Sequence, residues 1–355
     1  MTVDTAPTSV SAISDASIPL PRECTFDAAD FQILARHWYP IALTREIGEH
    51  PIPVRLLDET LVIYRAAQEI VVAHDICPHR GVPLSAGSGD GMTISCAYHG
   101  LQFGAAGRCV NIPAHPADKI PARMHLNNYP VIERYGLIWT SLDRAADPSA
   151  MPVMRHWNLD GFQQITCPSI DIAAFAGRQV EGFLDVAHFG FVHSDTFGDP
   201  NNVVVPTYSP NFTDYGFDVD YRSTVGNYPH GGRIGEPGFE WLRHFEAFVP
   251  FTATITVHFP EGGILNIMNA ASPVSARHTR MFAPIARNFD QDEPVEDVYD
   301  FNLRVFEEDR AIVEIQQPEN LPLDPKLEVH IPADRSSVAY RRCLRGLGLS
   351  EFFTA

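Results

Sequence analysis

Two short loops that each carry one cysteine and one histidine constrain this sequence more than any other feature. The first loop, CPHRG, contains Cys77 and His79, and the second, CAYHG, contains Cys96 and His99. One thiolate and one imidazole from each loop can converge on a single metal centre. The glycine that ends each loop permits the tight turn that this convergence requires. The fold must therefore place the two loops side by side.

The choice of ligands favours a two-iron cluster over a structural zinc ion. Zinc accepts two Cys and two His, but zinc loops usually supply like ligands in pairs. One Cys and one His per loop instead suits a [2Fe-2S] cluster in which two thiolates bind one iron and two imidazoles bind the other. We therefore expect Cys77, His79, Cys96 and His99 to hold such a cluster, with zinc as the alternative.

These motifs resemble the Rieske domain signature of bacterial Rieske non-haem iron oxygenases. The flanking sequence agrees, with HWYP from His37, YHGL around His99 and YGLIW from Tyr135. Many members of the family have Trp where Leu101 stands, a difference that leaves the ligands untouched. The resemblance implies a Rieske domain with a [2Fe-2S] cluster, followed by a catalytic domain with a mononuclear non-haem Fe(II).

The segment 181–193 supplies two candidate ligands for that second iron. Two histidines and one carboxylate, with open coordination positions, form the facial triad of non-haem Fe(II) oxygenases. On an ideal helix His193 lies roughly 140° from His188, so the helix must end or distort between them. We expect that break at Gly190. The spacing D-x-x-H-x-x-x-x-H, from Asp185 to His193, also matches the family's core pattern.

The third iron ligand is predicted to be Asp309. A helix is predicted over residues 293–316, with Asp292 as its cap and Pro294 in its first turn. Asp309 falls on the stripe of this helix that we expect to be buried, where a charge is costly unless it is paired or bound to a metal. That stripe contains Val298, Phe301, Val305, Ile312 and Gln316. Glu307 points away from the stripe and Glu308 lies at its edge, so both rank below Asp309.

Two earlier carboxylates are candidates for supporting roles. Asp185 lies one helical turn before His188 and can accept a hydrogen bond that orients the imidazole. In the family that the chain resembles, the matching Asp also bridges to a Rieske histidine of the neighbouring subunit, here His99. The resemblance therefore implies electron transfer through Asp185 and a homotrimer, or a hexamer of two trimers. Glu181 is a further candidate near the iron, and a solvated or salt-bridged helix residue is the alternative.

Four residues are candidates for contact with substrate. Asn266 and Met268 share one face of a predicted strand over 264–269, and His258 ends an alternating strand over 252–259. Val192 precedes His193. Core packing or a solvated strand face is the alternative for these positions. The cysteines without paired spacing are interpreted as ordinary packed or surface thiols, and they are Cys24, Cys109, Cys167 and Cys343.

The remaining pattern indicates an α+β fold with two domains, as 355 residues suggest. Strands are predicted over 54–64, 69–73 and 135–142, and alternation from Phe217 to Tyr221 adds one in the second half. We expect a loose N-terminal extension over 1–30 and an all-β Rieske [2Fe-2S] domain over 31–145. The catalytic domain over 146–355 should contain an antiparallel sheet flanked by helices.

Composition excludes several classes of protein. Hydrophobic residues make up 45% and charged residues 20%, which is typical of a globular chain. A net charge of −18 makes the protein a poor binder of nucleic acid or an anionic membrane. The sequence contains no apolar run of the ~18 residues that span a membrane. It also contains no recognisable secretory signal, so we expect a cytoplasmic protein.

The resemblance implies the terminal oxygenase, or alpha, component of a multicomponent system. A flavin and iron–sulfur reductase or a ferredoxin would deliver electrons from NAD(P)H, and O2 would react beside a small, aromatic substrate. The chain is similar in length to homotrimeric monooxygenases of the vanillate O-demethylase and N-demethylase type, which favours hydroxylation or demethylation. Aromatic ring cis-dihydroxylation is the alternative. A Rieske electron-transfer protein and a regulatory module are alternatives from other classes.

Overall fold

The first half of the chain folds into three small antiparallel sheets; the computed structural model describes residues 17–226 and 238–351. The strands are β1 (Tyr39–Leu43), β2 (Ile52–Leu56), β3 (Glu59–Ala66), β4 (Glu69–His74), β5 (Ser88–Gly89), β6 (Ile94–Ser95), β7 (Gln102–Phe103), β8 (Cys109–Asn111), β9 (Asn128–Tyr129), β10 (Val131–Arg134) and β11 (Leu137–Thr140). Their orders are β1-β11-β10, β2-β3-β4-β9 and β5-β6-β7-β8. The last of these sheets adjoins both Cys/His loops.

The second half is built on a nine-stranded antiparallel sheet. Its strands are β12 (Gln163–Thr166), β13 (Ile170–Ile172), β14 (Asn211–Thr213), β15 (Gly216–Ser223), β16 (Trp241–Phe248), β17 (Thr252–His258), β18 (Ile264–Ser275), β19 (His278–Phe282) and β20 (Pro284–Arg287). The main path runs β12-β20-β18-β17-β16-β15-β14, and β19 joins β13 to β18. The helices are α1 (Ala28–Leu34), α2 (Ala176–Leu184), α3 (Phe189–Val192), α4 (Val295–Val313) and α5 (Arg335–Gly346).

The central strands of the large sheet are covered on both faces. β15 keeps the predicted alternation, with Phe217, Val219 and Tyr221 fully buried. In β18, by contrast, Met268 packs with Trp38 of the first half, while the same strand also contacts α2. The sheet therefore lies between the first half of the chain and the helices. The predicted α+β fold class is confirmed.

The predicted strand over 54–64 is wrong, because the segment is a hairpin. Leu57 and Asp58 both have positive φ, of 50° and 68°, and they separate β2 from β3. Two-residue hairpin turns usually contain Asn-Gly or Asp-Gly. The turn at Leu57 and Asp58 contains neither pair. Contacts with the second half fix the turn instead, since the Leu57 amide donates to the Pro273 carbonyl at 2.7 Å.

The prediction of a loose extension fails for the last residues of 1–30, and residues 1–16 lie outside the described part of the chain. Phe26 is buried, and Asp27 caps α1 by accepting a hydrogen bond from the Ala29 amide. The buried carboxylate of Asp30 accepts hydrogen bonds from the amide and hydroxyl of Ser350. The first turn of α1 therefore ties the two ends of the described chain together.

Helix α4 confirms a helix in the predicted region but corrects its details. Pro294 is the N-terminal cap rather than a first-turn residue, and Asp292 makes no capping hydrogen bond. The buried residues are Val298, Asn302, Phe306 and Val313. Ile312, predicted to be buried, is 44% exposed. The buried stripe is therefore rotated from the predicted one. The hydrophobic pattern missed it because one of its members, Asn302, is polar.

No helix in the described ranges is long and apolar enough to cross a bilayer.

The turn at Asp58 should contribute measurably to stability. Its buried carboxylate accepts hydrogen bonds from the Thr25 amide and hydroxyl at 2.8 and 2.6 Å and pairs with Arg55 at 2.9 Å. We predict that Asp58→Ala lowers the free energy of unfolding by about 2–3 kcal/mol, because it leaves donors unpaired and places Ala at positive φ. Urea denaturation measures this loss. Asp147→Ala, which removes an exposed turn carboxylate, is the control and should cost about 1 kcal/mol or less; equal losses would contradict the assignment.

Candidate metal centres and the active-site cavity

The two Cys/His loops are built alike and lie next to each other. The Cys77 amide donates to the Val82 carbonyl, and the Gly81 amide donates back to Cys77, both at 2.9 Å. In the second loop the Cys96 amide donates to Leu101 and the Gly100 amide to Cys96, again at 2.9 Å. Both glycines have positive φ, of 74° and 66°. Each loop is therefore a rigid knuckle that presents its side chains to the other.

Within this pair of loops the thiols are buried and the imidazoles face outward. Cys77 and Cys96 are 2% and 3% exposed, whereas His79 and His99 are exposed and their ring centroids lie 4.6 Å apart. Burial, with the neighbouring Cys96 thiol, raises the pKa of Cys77 to about 11. Metal binding must therefore displace the proton of the Cys77 thiol. Two inner thiols and two outer imidazoles fit a [2Fe-2S] cluster with mixed ligation.

Three side chains of the second half bring their ligating atoms to one point. The Nε2 atoms of His188 and His193 lie 3.0 Å apart. The Oδ1 atom of Asp309 lies 3.1 Å from His193 Nε2 and 3.5 Å from His188 Nε2. This is the one His/Cys/Asp/Glu group in the described ranges whose candidate ligand atoms all lie within 4.8 Å of one another. A two-histidine, one-carboxylate donor set fits non-haem iron.

The helix break that allows this convergence is not at Gly190, as the sequence predicted. Helix α2 ends at Leu184, and Asp185 has an extended backbone with ψ of 136°. Gly190 instead lies inside the short helix α3, which begins after His188 and ends before His193. Gly190 is required there for space, since a Cβ would lie 2.8 Å from Val203 and 2.9 Å from the Asp199 carbonyl oxygen.

A carboxylate holds the remaining ring nitrogen of each histidine. Asp185 Oδ2 lies 3.3 Å from His188 Nδ1, as predicted. Glu308 Oε2 lies 2.7 Å from His193 Nδ1 and also accepts a 2.7 Å hydrogen bond from the Thr196 hydroxyl. These contacts fix both rings so that their Nε2 atoms face the common point. Burial alone raises the pKa of Asp185, but the hydrogen bond and charge of His188 outweigh it and lower that pKa.

The contact of Glu308 with His193 was not predicted from the sequence. Its position at the edge of the predicted stripe ranked it below Asp309, which was correct for the converging atoms. The signal that was present is the pair of adjacent carboxylates, which an α-helix directs to neighbouring but different positions. The Asp309 carboxylate reaches the point where the two Nε2 atoms converge, and the Glu308 carboxylate reaches Nδ1 of His193 on the other side of that ring.

Glu181 belongs to a buried ion-pair network. Its carboxylate accepts hydrogen bonds from Arg341 at 2.6 and 2.9 Å and lies 3.3 Å from Arg178. Glu328 pairs with the same two arginines. Glu181 therefore makes the contacts of a salt-bridged helix residue, which is the alternative that the sequence analysis left open. The network anchors α2, whose end positions Asp185.

A narrow, apolar cavity of about 80 Å³ lies beside the three converging side chains. Phenylalanine and aliphatic side chains form most of its wall, and Asn302 and Arg287 are the polar residues that join His188, His193 and Asp309 there. Leu265 and Ile267 of β18 face the cavity, whereas Asn266 and Met268 point to the other side of the sheet.

None of the four residues predicted to contact substrate lines this cavity. Successive residues of a strand point to opposite faces of the sheet, so Ile267 faces the cavity and Met268 faces away from it. Asn266 donates to the Ile255 carbonyl and the Thr256 hydroxyl. His258, at the end of β17, is half-buried away from the cavity, and Val192 lies in α3 without reaching it.

The comparisons with known proteins agree with both centres. Residues 37–130 match the Rieske [2Fe-2S] domain, and residues 172–349 match the vanillate O-demethylase oxygenase C-terminal domain. The chain is 31% identical to methylxanthine N1-demethylase NdmA of Pseudomonas putida, over 89% of this chain and 90% of that one. It is 28% identical to methylxanthine N3-demethylase NdmB of the same organism, over 90% and 91%.

A solved structure shows the same architecture. The structure of Pseudomonas putida NdmA with caffeine superposes with a TM-score of 0.77, at 29% identity and with coverage of 89% of this chain and 91% of that one. Together these findings define an oxidoreductase that uses O2, iron and a [2Fe-2S] cluster. The chain belongs to the Rieske non-haem iron oxygenases, in which it is a terminal oxygenase component. The predicted family and cofactors are confirmed.

The contact between Glu308 and His193 generates a prediction about iron affinity. We predict that Glu308→Gln weakens binding of the mononuclear iron by ~10–100-fold, because the imidazole loses its charged partner. Competition with a chelator measures this affinity, and the visible spectrum of the cluster should stay unchanged. Glu307→Gln is the matched control, since Glu307 is exposed and pairs with Arg310 at 2.7 Å. Equal iron affinity in both variants would contradict the role of Glu308.

Proposed function

We propose that the seven side chains named by the sequence hold the two metal centres. The cluster would be bound in the domain over 31–145 and the mononuclear iron in the domain over 146–355. The support is the knuckle geometry of the loops and the 3.0–3.5 Å separations of the three converging atoms. The ligands are Cys77, His79, Cys96 and His99 for the cluster, and His188, His193 and Asp309 for the iron.

We further propose that the reaction is monooxygenation of a small aromatic molecule, by hydroxylation or by O- or N-demethylation. The observation that carries this proposal is the aromatic, largely apolar cavity directly beside His188, His193 and Asp309. Pockets of this composition bind flat apolar rings, and a few polar groups orient them. The relatives NdmA and NdmB are named for N-demethylation of methylxanthines, which supports the demethylation branch.

Asn302 is the residue that we propose orients the substrate. Its side chain is 7% exposed, and its Nδ2 donates to the Val298 carbonyl at 2.8 Å. The amide oxygen therefore remains as an acceptor at the wall of the cavity, seven residues before Asp309 on α4. A buried acceptor discriminates strongly for a ligand that supplies the missing donor. We expect a substrate with an N–H or O–H group opposite its oxidised carbon.

The protein side chains prepare the reaction by position and by exclusion of water. The phenylalanine wall keeps solvent from the substrate, and Asp185 and Glu308 keep both histidine rings oriented. When bound, the iron and the cluster supply the reductive activation of O2. The electron-carrier alternative gives no role to the cavity or to the three converging side chains.

Electrons would enter the iron site through Asp185 from a neighbouring subunit. Asp185 lines a surface groove beside the end of α2, and its side chain is 28% exposed. Large apolar side chains are exposed in and near this groove, among them Ile315 at 71% and Val329 at 94%. Exposed apolar surface of this kind marks an interface. We propose a homotrimer in which the partner subunit's His99 reaches Asp185.

The electron donor in this proposal is a flavin and iron–sulfur reductase or a ferredoxin. The exposed imidazole of His79 gives such a donor access to the cluster. A supply of electrons from NAD(P)H and the cluster thiolates both suit the reducing cytoplasm, which is the location that we propose.

A single turnover of chemically reduced protein tests the reaction without a reductase. We predict that O2 and a suitable methoxyaromatic or N-methyl heteroaromatic compound yield formaldehyde and the demethylated product, detected by mass spectrometry. Alkyl aromatics should gain one oxygen atom. A product with two hydroxyl groups on a dearomatised ring would instead establish cis-dihydroxylation and contradict the proposal.

Electron transfer through Asp185 makes a separate prediction. Asp185→Asn should retain both metal centres and the orientation of His188, yet slow reoxidation of the cluster in a single turnover by ~10²-fold or more, because it removes the charged bridge. Stopped-flow absorbance measures reoxidation. Asp199→Asn, at an exposed carboxylate of the same segment, should react at the normal rate. Normal reoxidation in Asp185→Asn would remove this residue from the electron path.

A further inference from the structure

A wide, acidic vestibule adjoins the active-site cavity. It encloses about 1140 Å³ and shares Arg287, Val298 and Phe301 with the wall of the cavity. Among the described residues that line it, seven are carboxylates and two are arginines. The start of α4 contributes several of the carboxylates. A substrate that enters the cavity from this side must cross a strongly negative space.

Most of this negative charge has no basic partner in the part of the chain that the structure describes. Glu307 pairs with Arg310 and Glu308 contacts His193, but none of the salt bridges found in the described ranges involves Asp195, Glu293, Asp297 or Asp300. All four are exposed to the vestibule. Like charges that face one space add their potentials, and low-dielectric walls concentrate the field.

The two arginines of the vestibule offset only part of this field. Arg287 is 3% exposed, and its guanidinium donates to the Gln163 side chain at 2.8 Å and to the Asp290 carbonyl at 2.6 Å. Arg304 lies over the ring of Phe301, with Cζ 5.9 Å from the centroid. The seven carboxylates outnumber these two cations by five, so the space keeps a negative net charge, and Asp195, Glu293, Asp297 and Asp300 are among its exposed acidic side chains.

The cavity behind the vestibule points to a ligand by a separate observation. The amide oxygen of Asn302 has no hydrogen-bond partner among the described residues, although the side chain is more than nine-tenths buried. An acceptor in this position attracts a donor group and repels a carboxylate or sulfonate oxygen. The charge of the vestibule and the acceptor in the cavity therefore both disfavour anionic substrates.

We propose that the substrates of this oxygenase are uncharged or cationic aromatic molecules, and that the acidic vestibule discriminates against aromatic carboxylates and sulfonates. The inference rests on the proposed function for the identity of the cavity as the substrate site. It adds the charge class of the substrate and names a group of residues that sets specificity without touching the reacting atoms.

Three probes of nearly equal shape test the charge preference by binding. They are para-methoxybenzamide, para-methoxybenzoate and para-methoxybenzylamine, and equilibrium dialysis of the anaerobic holoenzyme measures their dissociation constants at low and high salt. We expect the benzoate to bind roughly tenfold more weakly than the benzamide at low salt, with the difference shrinking as salt screens the carboxylates. The amine should show the opposite salt dependence.

A pair of double variants separates the vestibule from the general acidity of the protein. Glu293→Gln with Asp300→Asn should strengthen benzoate binding about threefold and leave benzamide binding unchanged. Asp292→Asn with Glu296→Gln is the matched control, because it makes the same change in charge at exposed positions beside the same helix that do not line the vestibule. Its effect on benzoate binding should be clearly smaller.

The outcomes distinguish this inference from the proposed function. Benzoate binding as tight as or tighter than benzamide binding would overturn the inference and indicate that Arg287 attracts anions. Equal effects of the two double variants would also overturn it, and so would a failure of all three probes to bind. Charge-selective binding without oxidation in the single-turnover assay would leave the charge preference standing and refute the proposed reaction.

Discussion

The convergence of His188, His193 and Asp309 is the constraint on which the second half of the chain depends. Two imidazoles and a carboxylate within 3.0–3.5 Å of one another are costly to bury without a cation to share. The chain therefore stops α2 at Leu184, turns through α3 and lays α4 across the site. The buried arginine–glutamate network around Glu181 fixes one wall of this arrangement, and the shared core with the first half fixes the other.

Much of this organisation could be predicted from sequence, because metal ligation imposes a spacing between ligand residues that is visible in the sequence itself. The pairs Cys77/His79 and Cys96/His99 indicated a mixed-ligand cluster, and the family and both cofactors were confirmed. Asp309 was selected because a charge on a buried helical stripe demands a partner, and its carboxylate does face the two histidines. These inferences depend on local geometry, which the sequence carries.

Features that depend on contacts between distant segments were missed. The turn at Leu57 and Asp58 has no local signal, because its positive φ is stabilised by hydrogen bonds that its amides donate to carbonyls of the second half. The face of β18 that meets the cavity is set by which layer covers each side of the sheet, so Leu265 and Ile267 line it rather than Asn266 and Met268. The role of Glu308 likewise depends on where α4 lies relative to His193. The periodicity of a strand or helix identifies which of its faces is buried, but it does not identify the segment that packs against that face.

Metal analysis of Asp309→Ala tests whether His188, His193 and Asp309 together hold the mononuclear iron. We predict that the Mössbauer spectrum of this variant, loaded with iron-57, lacks the signal of the mononuclear iron, while the electron paramagnetic resonance spectrum of the reduced cluster stays the same. Retention of the mononuclear signal would show that Asp309 is not a ligand. Loss of the cluster together with the mononuclear iron would show that the two centres are not held independently, and either result would contradict the central claim.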